Sequence, residues 1–284
     1  MTLREALTAA STQLSANPSL REFASRDAEL LLLHTLQLPR TTLFTQPTLQ
    51  LLPVQLERYQ QAIARRLALE PIQYITGTQE FYGLAFHVTP AVLIPRPETE
   101  LLVETALSIL PSNQPLHIAD VGTGSGAIAI AIAHHLPQVH VTALDLSPAA
   151  LTIARHNAIA HHLADRITFL HSDLLGAVTG QTFDAILSNP PYIPTTDLPS
   201  LHPQVRDHEP HTALFAGPTG LDLYRRLIPQ AFAALPPGAP ILLEIGHNQA
   251  ESIRNLLAAW DEIQLLEDLQ HIPRTALARR SHTA

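Results

Sequence analysis

The segment Asn189-Pro190-Pro191-Tyr192 joins a side-chain amide, two residues without an N–H and an aromatic ring. It follows the apolar run FDAILS, residues 183–188, which reads as a buried strand. Open α/β sheets bind ligands at the carboxyl ends of their strands. Proline offers a carbonyl but no donor, and it pushes the preceding residue into extended geometry, so this turn is stiff and rich in acceptors. The Asn189 side-chain oxygen and the Pro190 carbonyl can accept both protons of a planar –NH2, while Pro191 stiffens the turn and Tyr192 stacks on the flat group. Such a clamp would fix a poorly nucleophilic nitrogen in line with an electrophilic carbon. Orientation supplies most of the gain, desolvation and polarisation by the acceptors the rest, with no metal and no strong base. The competing reading is a simple loop stop, because Asn-Pro favours turns.

A second constellation lies upstream. Three of the 11 glycines stand in DVGTGSGA, as Gly122, Gly124 and Gly126, with Thr123 and Ser125 between them. The loop follows a strand pattern and opens a helix pattern, the context in which a glycine loop cradles a nucleoside cofactor. Asp145 ends the next strand and is placed to accept hydrogen bonds from both ribose hydroxyls. Gly122, Gly124 and Ala127 also fit the dinucleotide fingerprint, so the loop alone is ambiguous. Asp120, two residues before the first glycine, would face a pyrophosphate badly and suits a cofactor with a cationic amino-acid end, S-adenosylmethionine. Asp173, at the end of the third strand, is expected to take the adenine amine, with Leu174 against the ring; a helix N-cap is the other reading of Asp173.

The elements that position these residues follow from periodicity. Residues 2–16, 22–38 and 53–69 carry apolar residues at helical spacing, punctuated by Pro18, Pro39, Pro47 and Pro53. Residues 80–95 turn aromatic and β-branched around Gly83 and read as a β-hairpin. From about residue 98 strand and helix patterns alternate, and IQLLEDLQ and RTALARR are expected to pair as closing strands. The expected organisation is a helical domain at 1–72, a linking β-hairpin segment at 73–98 and a catalytic domain at 99–284. The last is an α/β, mostly parallel, doubly wound Rossmann-like sheet of the class I methyltransferase type.

Composition limits the function. The chain has no cysteine, which removes disulfides and thiolate metal sites. Among 16 histidines, the adjacent pairs point in different directions on their helices, and His202, His208 and His211 are the weak candidates for a shared metal, so none is expected. All 17 basic residues are arginine, and the net charge is −8. Residues 1–99 are neutral and the acidity falls on residues 100–284, which disfavours unaided binding to a phosphate backbone. No apolar run reaches the roughly 18 residues of a membrane helix and no signal-peptide pattern opens the chain, so a cytoplasmic protein is expected.

The motifs together resemble the PrmC/HemK family of protein-(glutamine-N5) methyltransferases. EPIQYITGTQEFYGLAFHVTPAVLIPRPETELLVETAL, residues 70–107, carries the resemblance, with IPRPETE at 94–100 within it. DVGTGSGAIAIAIA, NPPYIP, EPHTALFAGPTGLDLYRRL and LLEIGHNQA continue it. NPPY alone is shared with amino-methyltransferases acting on DNA and RNA; in combination with IPRPETE it is more specific. The resemblance implies methyl transfer from S-adenosylmethionine to the glutamine of the Gly-Gly-Gln motif in class-I peptide chain release factors; a monomer without membrane or direct nucleic-acid contact is expected. It implies cofactor contacts at Gly122 to Gly126, Asp145, Leu174 and Asn189, and glutamine contacts at Asn189 to Tyr192. Many relatives carry tryptophan where this chain has Leu174. Arg96 and Glu98 lie beside the site by analogy, without an assigned step. A nucleobase amine as acceptor, and a non-enzymatic cofactor-binding scaffold, remain the alternatives.

Overall fold

A computed structural model describes residues 1–282. The chain forms two compact units. The smaller comprises Met1–Thr78 together with His202–His208, and the larger comprises Gln79–Leu201 and Glu209–Ala284.

The smaller unit is helical. Its first helix, Leu3–Ser15, opens with a capping box: the Glu5 N–H donates to Thr2 Oγ1 and the Thr2 N–H to Glu5 Oε2. Leu3, Ala6, Ala10 and Leu14 recur every three or four positions and are all buried, so one stripe of the helix meets the core. Helices Ala24–Leu36 and Pro53–Leu67 complete that core, with Pro53 in the first turn, where its missing N–H costs nothing. The buried Tyr59 hydroxyl donates to the Ala28 carbonyl at 3.0 Å. Arg66 is buried and bridges several segments. Its Nε donates to Asp27 Oδ2 at 2.6 Å, and its Nη1 donates to the Glu70 carbonyl at 3.0 Å and to Gln204 Oε1 at 2.9 Å. The short helix Pro203–His208 therefore supplies part of this unit's polar core.

The strands are β1 (Thr78–Phe81), β2 (Leu84–His87), β3 (Leu116–Val121), β4 (Val139–Asp145), β5 (Ile167–His171), β6 (Ala185–Ser188), β7 (Pro240–Glu244), β8 (Asp261–Glu267) and β9 (Pro273–Arg279). β1 and β2 form the small hairpin sheet expected around Gly83. The other seven form one sheet in the order β5-β4-β3-β6-β7-β9-β8. β3 to β7 run parallel, and the closing pair β8–β9 runs antiparallel, as the tail pattern predicts. β6 and β7 are buried at every position, and helix Ala127–His135 is buried from Ala127 through Ala133. That is why these segments read as unbroken apolar runs rather than amphipathic ones.

The order reverses at β3. The chain moves from β3 to β4 and β5 on one side, then returns through β6 on the other. The crevice beyond the carboxyl ends of β3 and β6 is the topological switch point, where such sheets bind ligands. The glycine loop leaves β3 there and Asn189 leaves β6 there. Among the described residues no helix is long and apolar enough to cross a membrane, and no group of three or more His, Asp or Glu side chains is arranged to hold a metal.

Candidate active site

Gly122, Gly124 and Gly126 have φ of 77°, 56° and 84°, a region that L side chains avoid, so the loop needs glycine at all three. The Gly122 and Thr123 N–H groups donate to the Leu144 carbonyl at 2.8 and 2.9 Å, which ties the loop to the end of β4. Asp145 completes that attachment. Its Oδ2 accepts from the Gly124 N–H and its Oδ1 from the Ser147 N–H, both at 2.8 Å. Burial nevertheless raises the Asp145 pKa, against the pull of those two bonds. A carboxylate has about four acceptor positions, so two amides leave capacity for further donors such as hydroxyls.

Asp120 does something other than the sequence suggested. It is fully buried and does not line the cavity. Its Oδ2 accepts from Thr123 Oγ1 at 2.6 Å and from the Ala129 N–H at 3.2 Å, bracing the glycine loop against the first turn of helix Ala127–His135. Its Oδ1 has no hydrogen-bond partner, and burial pushes its pKa to about 7. The side chain faces the inside of the loop and not a ligand. A carboxylate at this position therefore does not by itself distinguish a methyl donor from a dinucleotide.

A cavity of about 320 Å³ opens at the switch point. Gly122, Thr123, Gly124, Ser125, Asp145, Asp173 and Leu174 line it, and so do Asn189 and Pro191. The two motifs meet closely: a Cβ on Gly122 would stand 3.8 Å from the Asn189 carbonyl oxygen. Gly126, Pro190 and Tyr192 do not line the cavity. Gly126 has a packing reason instead, since a Cβ there would come within 3.0 Å of Ile130 and 3.3 Å of Ala154. Asp173 is paired with Arg226 at 2.6 Å, with both side chains about half exposed, so the pair adds little stability and keeps the carboxylate at the cavity rim. Leu174 has φ of 52°, unusual for leucine, and its carbonyl is held by the Ser172 hydroxyl at 2.7 Å.

The acceptor-rich turn is anchored from behind. The buried Ser188 hydroxyl donates to the Val121 carbonyl at 2.6 Å, joining the two strand ends that carry the motifs. Asn189 Nδ2 donates to Thr99 Oγ1 at 3.0 Å, which turns the acceptor end of the amide away from Thr99. Tyr192 is fixed at both ends. Its hydroxyl donates to Glu244 Oε1 at 3.3 Å, and its carbonyl accepts from Gln249 Nε2 at 2.9 Å. The hydroxyl end of the ring thus points toward the end of β7. Gly220 allows this approach, because a Cβ there would lie 2.1 Å from the Tyr192 carbonyl oxygen. Burial raises the Tyr192 hydroxyl pKa and holds the phenol neutral, and it pushes the Glu244 carboxyl to about 7.

Sequence reasoning passed over Thr99, Glu244, Gln249 and Glu209. Glu209 is buried and forms an ion pair with Arg96, a residue of the cavity wall. Burial raises the Glu209 pKa, and Arg96 opposes the shift. The available signal was an acid closing an otherwise apolar strand, as in PILLE, or an acid beginning EPHTALFAG.

The cavity's features fit S-adenosylmethionine: glycines that let a ligand reach the loop backbone, a carboxylate at the end of the second strand of the parallel sheet, and the apolar side chains of Leu146 and Leu174. Residues 97–199 match the family described as Methyltransferase small domain, and residues 5–77 match the PrmC N-terminal domain. The fold is similar to that of the Thermus thermophilus 16S rRNA N2 G1207 methyltransferase solved in complex with AdoMet and guanosine. The TM-score is 0.53 at 21% identity, over 72% of this chain and 49% of that one. Sheet and site define a class I S-adenosylmethionine-dependent methyltransferase. The chain is 45% identical to the release factor glutamine methyltransferase of Koribacter versatilis, over 99% of both chains. It is 41% identical to that of Escherichia coli, over 98% of this chain and 97% of that one. The chain belongs to the release factor glutamine methyltransferase family.

Proposed function

We propose that the chain transfers a methyl group from S-adenosylmethionine to the side-chain amide nitrogen N5 of the glutamine in the Gly-Gly-Gln motif of class-I peptide chain release factors. It acts as a cytoplasmic monomer, without direct contact to nucleic acid. The observation that carries this reading is the junction of Asn189 with the glycine loop at one cavity, with the donor end of the Asn189 amide already committed to Thr99.

When bound, the cofactor supplies an electrophilic methyl carbon on a sulfonium that leaves as a neutral thioether. The glycine loop and Asp145 hold its amino-acid and ribose parts, and Asp173 and Leu174 border the adenine. Asn189 Oδ1 and the Pro190 carbonyl accept the two protons of the glutamine amide, while Pro191 and Tyr192 shape the slot around it. The clamp orients the nitrogen and excludes water, effects worth several kcal/mol in a site of this kind. The methylated nitrogen loses its extra proton to solvent or to the same acceptors.

The test uses purified protein with labelled donor against three acceptors: a release factor, its Gln→Ala variant at the Gly-Gly-Gln motif, and bulk nucleic acid. Label is expected on the release factor alone. Label on nucleic acid with none on the release factor would establish the nucleobase reading instead, and no label on any acceptor would favour a binding scaffold.

A further inference from the structure

Three loops meet on one side chain that the transfer step does not use. Gln249 is buried and lies between β7 and helix Ala250–Leu256. Its Nε2 donates to the Tyr192 carbonyl at 2.9 Å and to the Gly220 carbonyl at 3.2 Å, and its Oε1 accepts from the Gly246 N–H at 2.9 Å. A side-chain amide has two N–H donors at one end and an oxygen at the other. Here both donors are spent on carbonyls and the oxygen on an N–H. Turned around, the amide would set its oxygen against two carbonyls and its NH2 against a donor, so the fold fixes which end points where.

The joined segments leave no slack. A Cβ on Gly246 would stand 2.9 Å from Gln249 Oε1 and 3.2 Å from Tyr192 Cδ2, and a Cβ on Gly220 would stand 2.8 Å from Gln249 Nε2. The start of the acceptor-rich turn has its own anchors, Ser188 on the Val121 carbonyl and Asn189 on Thr99. Past its end, the chain pairs with residues 214–217: the Ile193 N–H donates to Leu214, the Ala216 N–H to Ile193 and the Thr195 N–H to Gly217, at 2.9, 3.0 and 2.9 Å. These paired segments lie outside the seven-stranded sheet. Gln249 takes the Tyr192 carbonyl from one and the Gly220 carbonyl beyond the other, and ties both to Gly246, two residues past β7. Between the two anchored ends stand Pro190 and Pro191, whose rings lock φ, so the Pro190 carbonyl follows whichever end moves.

We propose that Gln249 is a positioning residue: by holding the Tyr192 carbonyl to the end of β7 it sets the angle of the Asn189–Tyr192 turn, and so the place where the Asn189 and Pro190 acceptors meet the methyl acceptor. This rests on the proposed methyl transfer to an amide. The glycine loop is held separately, by the Leu144 carbonyl and Asp145. Loss of Gln249 therefore bears on the transfer step and not on the donor.

The test compares the wild type with Gln249→Met and Gln249→Glu, using a release factor as acceptor. Gln249→Met keeps the length of the side chain and removes all three bonds. It is expected to leave the donor Kd within about threefold and to lower the kcat of the folded protein at least about tenfold. In Gln249→Glu an ionised carboxylate still accepts from Gly246 but faces two carbonyls without a proton; protonated, it donates to one of them. Burial raises the pKa of such a carboxyl, so the kcat of Gln249→Glu relative to the wild type should rise at least about threefold from about pH 8 to about pH 6. A residue serving stability alone would change the folded fraction and leave both the kcat per folded molecule and this ratio unmoved.

Full kcat in folded Gln249→Met, a donor Kd weakened as much as kcat, or a ratio indifferent to pH would overturn the proposal. Should Gln249→Met fail to fold, the ratio measured on Gln249→Glu decides alone. Should the wild type methylate no release factor, the proposed function fails and the positioning is read directly, from the ring proton resonances of Tyr192 in the donor-bound protein, assigned with Tyr192→Phe. These should be displaced in Gln249→Met and return toward their wild-type positions as Gln249→Glu is acidified. Resonances unmoved in both variants would overturn the inference on their own.

Discussion

Asp145 Oδ2 accepts the Gly124 N–H at 2.8 Å, so the acid at the end of β4 holds the middle glycine of the loop that follows β3. One carboxylate thus shapes the loop and faces the cavity that the loop borders. Asp145→Ala should raise the donor Kd at least about tenfold, because it removes both the brace and the acceptor proposed for the ribose. Isothermal titration measures this, and an unchanged Kd would contradict the ribose assignment.

Asn189→Ala removes the side-chain acceptor while leaving the glycine loop intact. Turnover should fall at least about 100-fold, the scale of losing one preorganised polar contact to the reacting group. The donor Kd should stay within a few-fold. Single-turnover transfer with labelled donor separates the two effects, and retained turnover would count against the clamp.

Gly220→Ala places a methyl group 2.1 Å from the Tyr192 carbonyl oxygen, at φ of 71°. The turn must shift, carrying Tyr192 with it. A fall in kcat of about tenfold or more is expected beyond any loss of stability. Gly180→Ala is the control, since its φ is 85° but no atom lies within 4 Å of the added Cβ. It should cost about 1–2 kcal/mol of backbone strain and leave kcat unchanged.

Asp120 keeps its proton in the folded state to about pH 7, against an ordinary value of 3.8. Between those values the folded chain binds more protons than the unfolded chain, so stability falls as pH rises and levels off above about 7. Asp120→Asn should flatten this slope. The difference amounts to roughly 4 kcal/mol across the window. Urea midpoints taken from pH 4 to pH 8 on both proteins check the sign; a wild-type stability that rises relative to the variant over that range would contradict the assignment.

Asp27→Ala leaves the Arg66 guanidinium buried without its carboxylate. Loss of one partner of a buried pair costs about 3–5 kcal/mol, and an apolar replacement of both recovers much of it. Chemical denaturation of Asp27→Ala and of Asp27→Ala with Arg66→Met measures both quantities. A single variant as stable as the wild type would show that the pair contributes nothing.

The parts legible in sequence are those written in contiguous residues. The alternation of β3 through β7 with their helices follows from apolar runs of the right lengths, and the antiparallel β8–β9 pair from its pattern. The glycine loop and Asn189 are recognisable because a strand end, a turn and a ligand edge coincide within a few residues. The partners behind them are not. Thr99 lies 90 positions from Asn189, Glu244 lies 52 from Tyr192, and Gln249 lies 57 from the carbonyl it holds. Only the fold brings these groups together, and none forms a local pattern. Asp120 was misread for the same kind of reason: the direction of a side chain at a strand end depends on what packs against it, here Thr123 and the Ala129 N–H.

Residues 202–208 belong to the helical unit although they follow the active-site turn in the chain. Gln204 meets Arg66, and His208 meets the Ala68 carbonyl at 3.1 Å. Residues 1–78 are therefore not a detachable cassette. Expressed alone, they would present a guanidinium edge and a carbonyl lacking those partners. A chimera that exchanged them between two relatives would need to exchange residues 202–208 as well. Recombination that treats the N-terminal helices as a movable module is thus penalised, because the segment that completes them, residues 202–208, is encoded between strands of the large sheet.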